Sequence, residues 1–401
     1  MLLVERRKYM KKRVLFVYST MMLGGSTTSL LSLLQNFDYE KYQVDLLLYK
    51  AEGPFIGYIP EQVNILPTAL APEMTQLKRR IKSIFNGKLL DSLFCGVKYY
   101  GKPVMSQQKN AYMNAAWCRI PEQEYDVAIG FLELWSDVIV NKYIKAKKKI
   151  SWVHVDYQKA HYIPALDSHT FDESNFIVHV SEKCMQNFQE AFPQYANKCV
   201  YIENILTKSF LQSRIQRAPK VHIDLENAGL KLLSVCRIEL DHKGLDRGIE
   251  AIRTLKDRGY KINWYVIGSG PDESKMKAYI EKLDLQNDIH MLGRMECPFT
   301  LYENFDAFFV PSRYEGKPMA VTEAQMLGLP PIVTEYESAH EQIDDLKTGI
   351  IAENSCDGIV DILEKILKSP QILNSIHNNL LRSDFDNVEC INQIYELMEK
   401  E

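Results

Sequence analysis

The 401-residue sequence lacks several features that mark particular classes of protein. It has no apolar run near the ~18 residues of a membrane span, and its start, MLLVERRKYMKKR, has no signal-peptide apolar core. A formal net charge of −4 argues against general nucleic-acid binding. We therefore expect a cytoplasmic protein, with residues 1–11 disordered.

The eight cysteines form no C-x-x-C pair. They stand at positions 95, 118, 184, 199, 236, 297, 356 and 390. This scatter indicates buried thiols in a reducing compartment, and neither a disulfide framework nor a zinc site.

The chain also lacks internal repeats and low-complexity segments. An apolar content of 46% and a charged content of 25% are typical of a globular protein with large cores. The length favours two domains of roughly 200 residues or less. A polar linker over 207–226 marks the expected boundary. The predicted domains are 1–206 and 207–386, followed by a C-terminal helix over 387–401.

Short apolar runs alternate with helical segments in both halves. This alternation predicts an α/β protein with doubly wound parallel sheets. The strand candidates are Val14–Tyr18, Val44–Tyr49, Val63–Leu66, Asp126–Gly130, Lys149–Val155, Phe176–Val180, Val200–Glu203, Lys231–Cys236, Trp264–Ile267, Ile289–Leu292, Ala307–Pro311 and Ile332–Thr334.

The segment PSRYEGKPMAVTEAQMLGLPP, residues 311–331, carries two carboxylates seven residues apart. Its prolines and glycines predict a helix from Pro318 to about Leu327, closed by Gly328. Glu315 would then lie on the preceding loop and Glu323 inside the helix. The helix N-terminus is suited to an anion. Two acceptors beside an anion site suit a sugar nucleotide.

Two further loops carry candidate ligand-binding residues in the second half. Arg237 and Lys243 flank the loop after a predicted strand. At such a position, arginine can bind a diphosphate through two parallel hydrogen bonds and lysine can bind it as a point charge. Each alone is more often a solvated cation. Gly268-Ser269-Gly270-Pro271 lacks the third glycine of a dinucleotide fingerprint and is a weak signal by itself.

The first half offers a glycine pair and a histidine. Gly24 and Gly25 follow the first strand and allow close approach to a phosphate, although most such pairs only form the turn. If the strand continues through SWVHVD, His154 and Asp156 share one face near its carboxyl end. Both are acceptor-side candidates, although a lone histidine is more often structural. His179 is expected to be structural.

A basic stretch over 77–109 interrupts the alternation. Its cations are Lys78, Arg79, Arg80, Lys82, Lys88, Lys98, Lys102 and Lys109. Apolar residues at helical spacing make part of it amphipathic. Peripheral contact with an anionic membrane, binding of an anionic acceptor and a solvated helix packed on its own domain all stay open.

The sequence resembles the retaining GT-B glycosyltransferases of family 4 in the order of its motifs. These are the Gly-Gly loop, the Arg and Lys pair, G-x-G-P and E-x7-E. The likeness covers nearly the whole chain from residue 12 and is strongest over 231–335. Among family members, it is greatest to those that build bacterial capsule, exopolysaccharide or lipopolysaccharide. It implies a GT-B fold, two Rossmann-like domains facing across a cleft. The first would take the acceptor and the second the sugar nucleotide, and the last helix would cross back to the first.

The resemblance also implies residue roles. Arg237 and Lys243 would bind the diphosphate and stabilise the leaving group. Glu315 would contact donor-sugar hydroxyls, and Glu323 the ribose. His154 would face the donor sugar or acceptor. The other donor-site candidates are Gly24, Gly25, Gly268, Gly270, Met295 (bordering the base), Lys317, Pro318, Met319 and Ala320. No metal or cofactor is implied, because cations and a helix dipole would replace the metal.

Two departures from the family pattern matter. Lys317 stands where an aromatic residue is usual, and no Asn-Pro follows the interdomain strand, where Glu203-Asn204 stand instead.

The expected function is transfer of a hexose from a nucleoside-diphosphate sugar to a glycan or lipid-linked acceptor in bacterial surface polysaccharide synthesis, and a UDP-sugar is the expected donor. The alternatives are a GT-B sugar-nucleotide epimerase, a phosphorylase, or a non-catalytic partner subunit of a glycosyltransferase.

Overall fold

A computed structural model describes residues 11–70, 103–116, 118–219, 221, 223, 225 and 229–400. Most of the basic stretch over 77–109 lies outside these residues, as do residues 1–10 of the start that is expected to be disordered. The chain divides into two compact units. The first comprises Met1–Ile205 with Val388–Glu401, and the second Leu206–Asn387.

The first unit contains a seven-stranded parallel sheet within the described residues, with strand order β3-β2-β1-β4-β5-β6-β7. Its strands are β1 (Lys12–Tyr18), β2 (Tyr42–Leu48), β3 (Asn64–Ile65), β4 (Tyr125–Gly130), β5 (Ala146–Val153), β6 (Phe176–His179) and β7 (Cys199–Tyr201). The apolar run Val14–Val17 within β1 is fully buried, because helices cover both faces of a doubly wound sheet.

The helices of the first unit are α1 (Gly25–Gln35), α2 (Pro103–Ala116), α3 (Trp135–Lys142), α4 (Pro164–Asp167) and α5 (Glu182–Ala191). Short 3-10 turns cover Pro54–Tyr58 and Pro193–Lys198. The strand order reverses between β1 and β4, so the loops after these two strands meet at the topological switch point.

The second unit contains a six-stranded parallel sheet, ordered β10-β9-β8-β11-β12-β13 among the residues described. Its strands are β8 (Leu230–Val235), β9 (Ile262–Ile267), β10 (Ile289–Gly293), β11 (Ala307–Val310), β12 (Pro331–Thr334) and β13 (Ile350–Ala352). The order reverses between β8 and β11. The two sheets confirm the predicted doubly wound α/β class, while the short strand β13 was not predicted.

The helices of the second unit are α6 (Lys208–Arg217), α7 (Leu245–Asp257), α8 (Glu273–Lys282), α9 (Met319–Met326), α10 (Ala339–Gln342), α11 (Cys356–Lys368) and α12 (Gln371–Leu380). A 3-10 segment covers Pro298–Asn304. Helix α6 occupies much of the stretch interpreted as a polar linker, which corrects that interpretation. Thr207 caps its start by accepting the Phe210 N–H, and Phe210, Leu211 and Arg214 are buried at helical spacing.

The last helix, α13 (Ile391–Glu399), packs on the first unit. The ring of Tyr395 stacks on Tyr42 at 5.3 Å between centroids, and its hydroxyl accepts the Asp38 N–H at 2.7 Å. The Tyr42 hydroxyl donates to Glu399 Oε1 at 2.9 Å. Stacking and hydrogen bonds therefore hold the chain end against β2 and the residues before it.

No helix in the described part of the chain combines the length and the apolar character that crossing a membrane requires.

Candidate functional site

The candidate site of the second unit lies at the switch point of its sheet, where the loops after β8 and β11 touch. Gly244 has a φ of +58°, and a Cβ there would lie 1.9 Å from the carbonyl oxygen of Pro311. Only glycine fits this contact. The Arg313 N–H also donates to His242 O at 3.0 Å. The loop carrying Lys243 is therefore fixed against the loop carrying Glu315.

Lys243 and Glu315 form a nearly buried ion pair. Lys243 Nζ lies 2.8 Å from Glu315 Oε1 and 3.0 Å from Oε2, with side chains 17% and 9% exposed. The Ser312 hydroxyl donates to Glu315 Oε1 at 2.7 Å. Burial opposes the charge, but Lys243, His242 and Ser312 outweigh it and hold the pKa of Glu315 below its usual value. Likewise, burial opposes the Lys243 charge, but Glu315 outweighs it and the lysine pKa is raised.

A second layer of side chains surrounds this pair. His242 stacks on Tyr314 with ring centroids 4.2 Å apart, and its Nδ1 lies 3.3 Å from Glu239 Oε2. Glu239 Oε1 in turn lies 3.2 Å from Nε of Arg237, whose side chain is 67% exposed. The two cations of this loop therefore lie in different environments. Lys243 is nearly buried against Glu315, whereas Arg237 lies at the surface.

The helix after Glu315 begins and ends within one residue of the predicted bounds, Pro318 and Leu327. It runs from Met319 to Met326 after Pro318, and Gly328 has a φ of +77° just beyond it. Glu315 lies on the loop and Glu323 is the fifth helical residue, also as predicted. An anion site is predicted at the first turn of this helix, and there the Val321 N–H already donates to Pro318 O at 3.1 Å.

Glu323 is buried in a different environment from Glu315. Burial raises its pKa to about 7, against a smaller lowering effect from the positive charge of Arg214. Two carboxylates of one motif therefore have opposite pKa shifts. Lys317, the departure from the family pattern, is half-buried just before the helix.

The glycines of the G-x-G-P loop have a structural explanation. A Cβ at Gly268 would lie 1.8 Å from Cys236 O, and one at Gly270 would lie 2.2 Å from Ile238 O. The Ile238 N–H donates to Ser269 O at 3.1 Å. Both glycines let the loop after β9 lie directly on the loop after β8, so their contact with a donor stays a prediction, as does that of half-buried Met295.

In the first unit, Gly24 and Gly25 stand at the start of α1. Gly24 has an extended φ of 171°, which any residue adopts, and a Cβ there would meet the Thr27 hydroxyl oxygen at an ordinary 3.9 Å. Neither local conformation nor this neighbour requires glycine at position 24.

His154 follows β5, which ends at Val153, two residues earlier than predicted. Its ring lies 5.2 Å from that of Phe131, and burial lowers its pKa to about 4, so it is neutral at pH 7. Its Nε2 atom is buried and has no hydrogen-bond partner among the described residues. A neutral histidine with an unused ring nitrogen suits a hydroxyl-bearing ligand.

Sequence reasoning missed Glu133, which holds the His154 backbone. Glu133 Oε2 accepts the His154 N–H at 3.0 Å, and burial raises the pKa of this carboxyl. Asp137, four residues later in the first turn of α3, is fully buried, and its pKa is raised well above its usual value by burial and then by Glu133. The signal was a lone glutamate between apolar pairs, FLELW, after a predicted strand.

Asp156 instead closes a turn. Its Oδ1 accepts the N–H groups of Gln158 and Lys159 at 3.0 and 3.1 Å, and its Oδ2 accepts Asn187 Nδ2 at 2.7 Å. Asp156 is buried, and because it lies beyond the end of β5, the shared strand face predicted for it and His154 is not formed. Its assignment as an acceptor-side residue stays a prediction without geometric support.

Within the described residues, no three His, Cys, Asp or Glu side chains are grouped so as to hold a metal ion.

Residues 223–381 match the protein family described as glycosyl transferases group 1. They contain Arg237, Lys243, Glu315 and Glu323, and the match confirms the resemblance inferred from those motifs.

Curated relatives carry corresponding names. The amylovoran biosynthesis glycosyltransferase AmsK of Erwinia amylovora is 32% identical over 146 residues, 34% of this chain and 36% of that one. An N,N'-diacetylbacillosaminyl-diphospho-undecaprenol alpha-1,3-N-acetylgalactosaminyltransferase of Campylobacter jejuni is 34% identical over 125 residues, 31% of each. The chain spans about a third of the length of the curated relatives it matches.

Solved structures resemble the whole chain in fold. Anabaena Alr3699/HepE, in complex with UDP and glucose, has a TM-score of 0.68 at 14% identity over 97% of this chain and 100% of its own. WaaG, a glycosyltransferase involved in lipopolysaccharide biosynthesis, has a TM-score of 0.63 at 14% identity, with 97% and 100% coverage. The fold is GT-B, as predicted.

Proposed function

We propose that the protein is a retaining glycosyltransferase that moves a hexosyl group from a UDP-sugar to a glycan or lipid-linked acceptor in bacterial surface polysaccharide synthesis. The observation that carries this proposal is the buried Lys243–Glu315 pair at the switch point of a group 1 glycosyl transferase segment. Switch points are the usual ligand sites of doubly wound sheets.

The site supplies the charges that the donor requires. Lys243 would contact the diphosphate while keeping Glu315 as its counterion, and Arg237 would exchange Glu239 for phosphate oxygens. The N-terminus of α9 adds a positive dipole. Because Lys243 is largely shielded from water, its charge acts strongly on the negative charge that develops as the diphosphate leaves.

The carboxylates would divide the donor between them. Glu315 would accept hydrogen bonds from the transferred sugar, since its carboxylate is held ionised beside Lys243. Glu323 would accept from the ribose hydroxyls. In the first unit, Gly24 would allow close approach to a phosphate, and Nε2 of His154 would accept from a hydroxyl of donor sugar or acceptor.

Retention of configuration follows if the acceptor oxygen attacks the face that the leaving diphosphate vacates. The bond from the anomeric carbon to the phosphate oxygen breaks, and the bond to the acceptor oxygen forms. The acceptor proton passes to the departing phosphate. The protein contributes charge and orientation and needs no carboxylate nucleophile, metal or cofactor in this scheme.

Names of similar proteins support the substrate classes. The HepE structures contain UDP with glucose or UDP-glucose, which favours a UDP-sugar. The Campylobacter relative acts on a diphospho-undecaprenol, which favours a lipid-linked acceptor. A cytoplasmic protein, peripheral on the inner face of the membrane, would meet both substrates.

Release of nucleoside diphosphate from a panel of sugar nucleotides, with undecaprenol-linked and glycan acceptors, tests the proposal. We expect UDP release that needs an acceptor and falls at least 100-fold in Lys243→Met and Glu315→Gln, as for loss of one transition-state contact. Lys256→Met is the matched control, because Lys256 pairs with Asp288 at 3.0 Å elsewhere in the same unit. UDP release without an acceptor, a requirement for phosphate, or no turnover would refute the proposal.

A further inference from the structure

Helix α6 carries a buried arginine that neither the family motifs nor the proposed mechanism uses. Arg214 is only 3% exposed, on a helix whose Phe210 and Leu211 are fully buried. Arginine is rarely buried without specific partners, because removing its charge from water costs free energy.

The guanidinium contacts the segment that follows Met295. Its Nη2 donates to Glu296 O at 2.6 Å, and Cζ lies 4.5 Å from the centroid of the Phe299 ring. A hydrogen bond and a cation–π contact thus join α6 to the segment 296–299. Since Met295 is predicted to border the nucleobase, this contact would fix one wall of the proposed nucleotide pocket.

The same charge acts on Glu323. Burial raises the pKa of Glu323 to about 7, and Arg214 is the group that opposes this shift. Cys297 and Tyr302 also interact electrostatically with Glu323. Burial raises the pKa of Cys297, and raises that of Tyr302 well above its usual value, so both are neutral near pH 7. Arg214 is therefore the permanent charge among these neighbours of Glu323.

We propose that Arg214 is a positioning residue of the nucleotide half of the donor site, which fixes the segment 296–299 against α6 through its contacts with Glu296 O and the Phe299 ring. The inference rests on the proposed function, in which Glu323 binds the ribose. An ionised carboxylate accepts two ribose hydroxyls, whereas a protonated one gives up part of that capacity. UDP affinity should therefore depend on pH through Glu323 and on Arg214 through its charge.

Isothermal titration of the full chain with UDP from pH 5.5 to pH 8.5 tests the proposal. Wild-type affinity should rise with pH with a midpoint near the Glu323 pKa of about 7. Glu323→Gln should bind more weakly and lose this dependence. Arg214→Met should move the midpoint upward. A shift of one unit reduces the ionised fraction at pH 7 from about a half to about a tenth, which lowers UDP affinity about fivefold.

Further arms separate charge from packing. Arg214→Lys keeps the charge and should keep the midpoint near that of the wild type, although it loses the planar contact with Phe299. In Arg214→Met, 2′-deoxyuridine diphosphate should lose less affinity than UDP. If Arg214→Met loses equal affinity for both nucleotides at every pH, and the midpoint of the pH dependence does not move, Arg214 contributes only packing and the inference is wrong.

A ligand-free measurement distinguishes this inference from the proposed function. If the wild type binds no uridine nucleotide at any pH, the proposed donor is wrong. The charge coupling is then read from the free energy of unfolding between pH 5 and pH 8.5. Arg214→Met should make this free energy fall more steeply with pH than in the wild type, and should have no such effect in the Glu323→Gln background. An unchanged slope would refute the coupling itself.

Discussion

Glu323→Gln should stabilise the ligand-free protein at high pH and leave its stability nearly unchanged at low pH. The folded-state pKa of Glu323 is about 7, against 4.5 for the free side chain. The folded state therefore holds this proton more tightly than the unfolded state, and the wild type loses stability as pH rises from about 4.5 through 7. Glutamine has no charge to bury and escapes this loss.

The magnitude follows from the size of the shift. At 1.36 kcal/mol per pKa unit, a shift from 4.5 to about 7 corresponds to ~3 kcal/mol of folding free energy once Glu323 is fully ionised. Because part of this loss already occurs below pH 5, the stability difference between Glu323→Gln and the wild type should grow by about 2.5 kcal/mol between pH 5 and pH 8.5. Urea unfolding of both proteins at the two pH values measures it.

Glu239→Gln provides a control of opposite sign. The hydrogen bond with His242 is the largest effect on the pKa of Glu239 and lowers it, and partial burial opposes this effect without cancelling it. Its charge therefore stabilises the fold above the unfolded-state pKa, and this stabilisation is lost as pH falls. Glu239→Gln should be less stable than the wild type at pH 8.5, with a gap that narrows toward acid pH. A Glu323→Gln gap that is the same at pH 5 and pH 8.5 would refute the reasoning.

Three other substitutions test separate parts of the structure. Lys243→Met leaves Glu315 buried without its counterion and should cost about 3–5 kcal/mol in urea unfolding at pH 7, much of it recovered by adding Glu315→Gln. Gly270→Ala places a Cβ 2.2 Å from Ile238 O and should cost about 1–3 kcal/mol, whereas Gly24→Ala should cost far less. Tyr395→Phe should cost about 1 kcal/mol for the lost hydrogen bond, and Tyr395→Ala more because stacking is also lost; equal costs would refute the stacking contribution.

Local patterns account for the parts of the site that the sequence predicted. Proline before and glycine after an apolar stretch fixed the bounds of α9, and these bounds place Glu315 on a loop and Glu323 in a helix. Buried parallel strands are continuous apolar runs, so the sheets were also predictable. Strand β13 was missed because three residues, Ile350–Ala352, are too few to form a recognisable pattern.

Tertiary contacts account for the parts that were missed. Arg214 was counted among polar linker residues because its charge hides the apolar stem that packs in the helix. Glu133 accepts a hydrogen bond from the backbone of His154, 21 residues away, and no spacing rule predicts this contact. The close approach of two loops explains why Gly268 and Gly270 are glycines, which the sequence did not reveal, and their contact with a donor stays a prediction.

The same dependence on tertiary contacts decides what the two carboxylates of the E-x7-E motif can do. Both are buried, so each needs a cation in order to remain ionised. Glu315 has Lys243 within 3.0 Å and a hydrogen bond from Ser312, and its pKa falls despite burial. Glu323 is influenced by Arg214 less strongly than by its own burial, and its pKa rises to about 7. A fixed anion suits contact with the sugar that is transferred, since its charge must not change during turnover. A carboxyl that titrates near neutrality makes nucleotide binding the step that responds to pH, so the two residues should separate in their effects on donor affinity and on turnover.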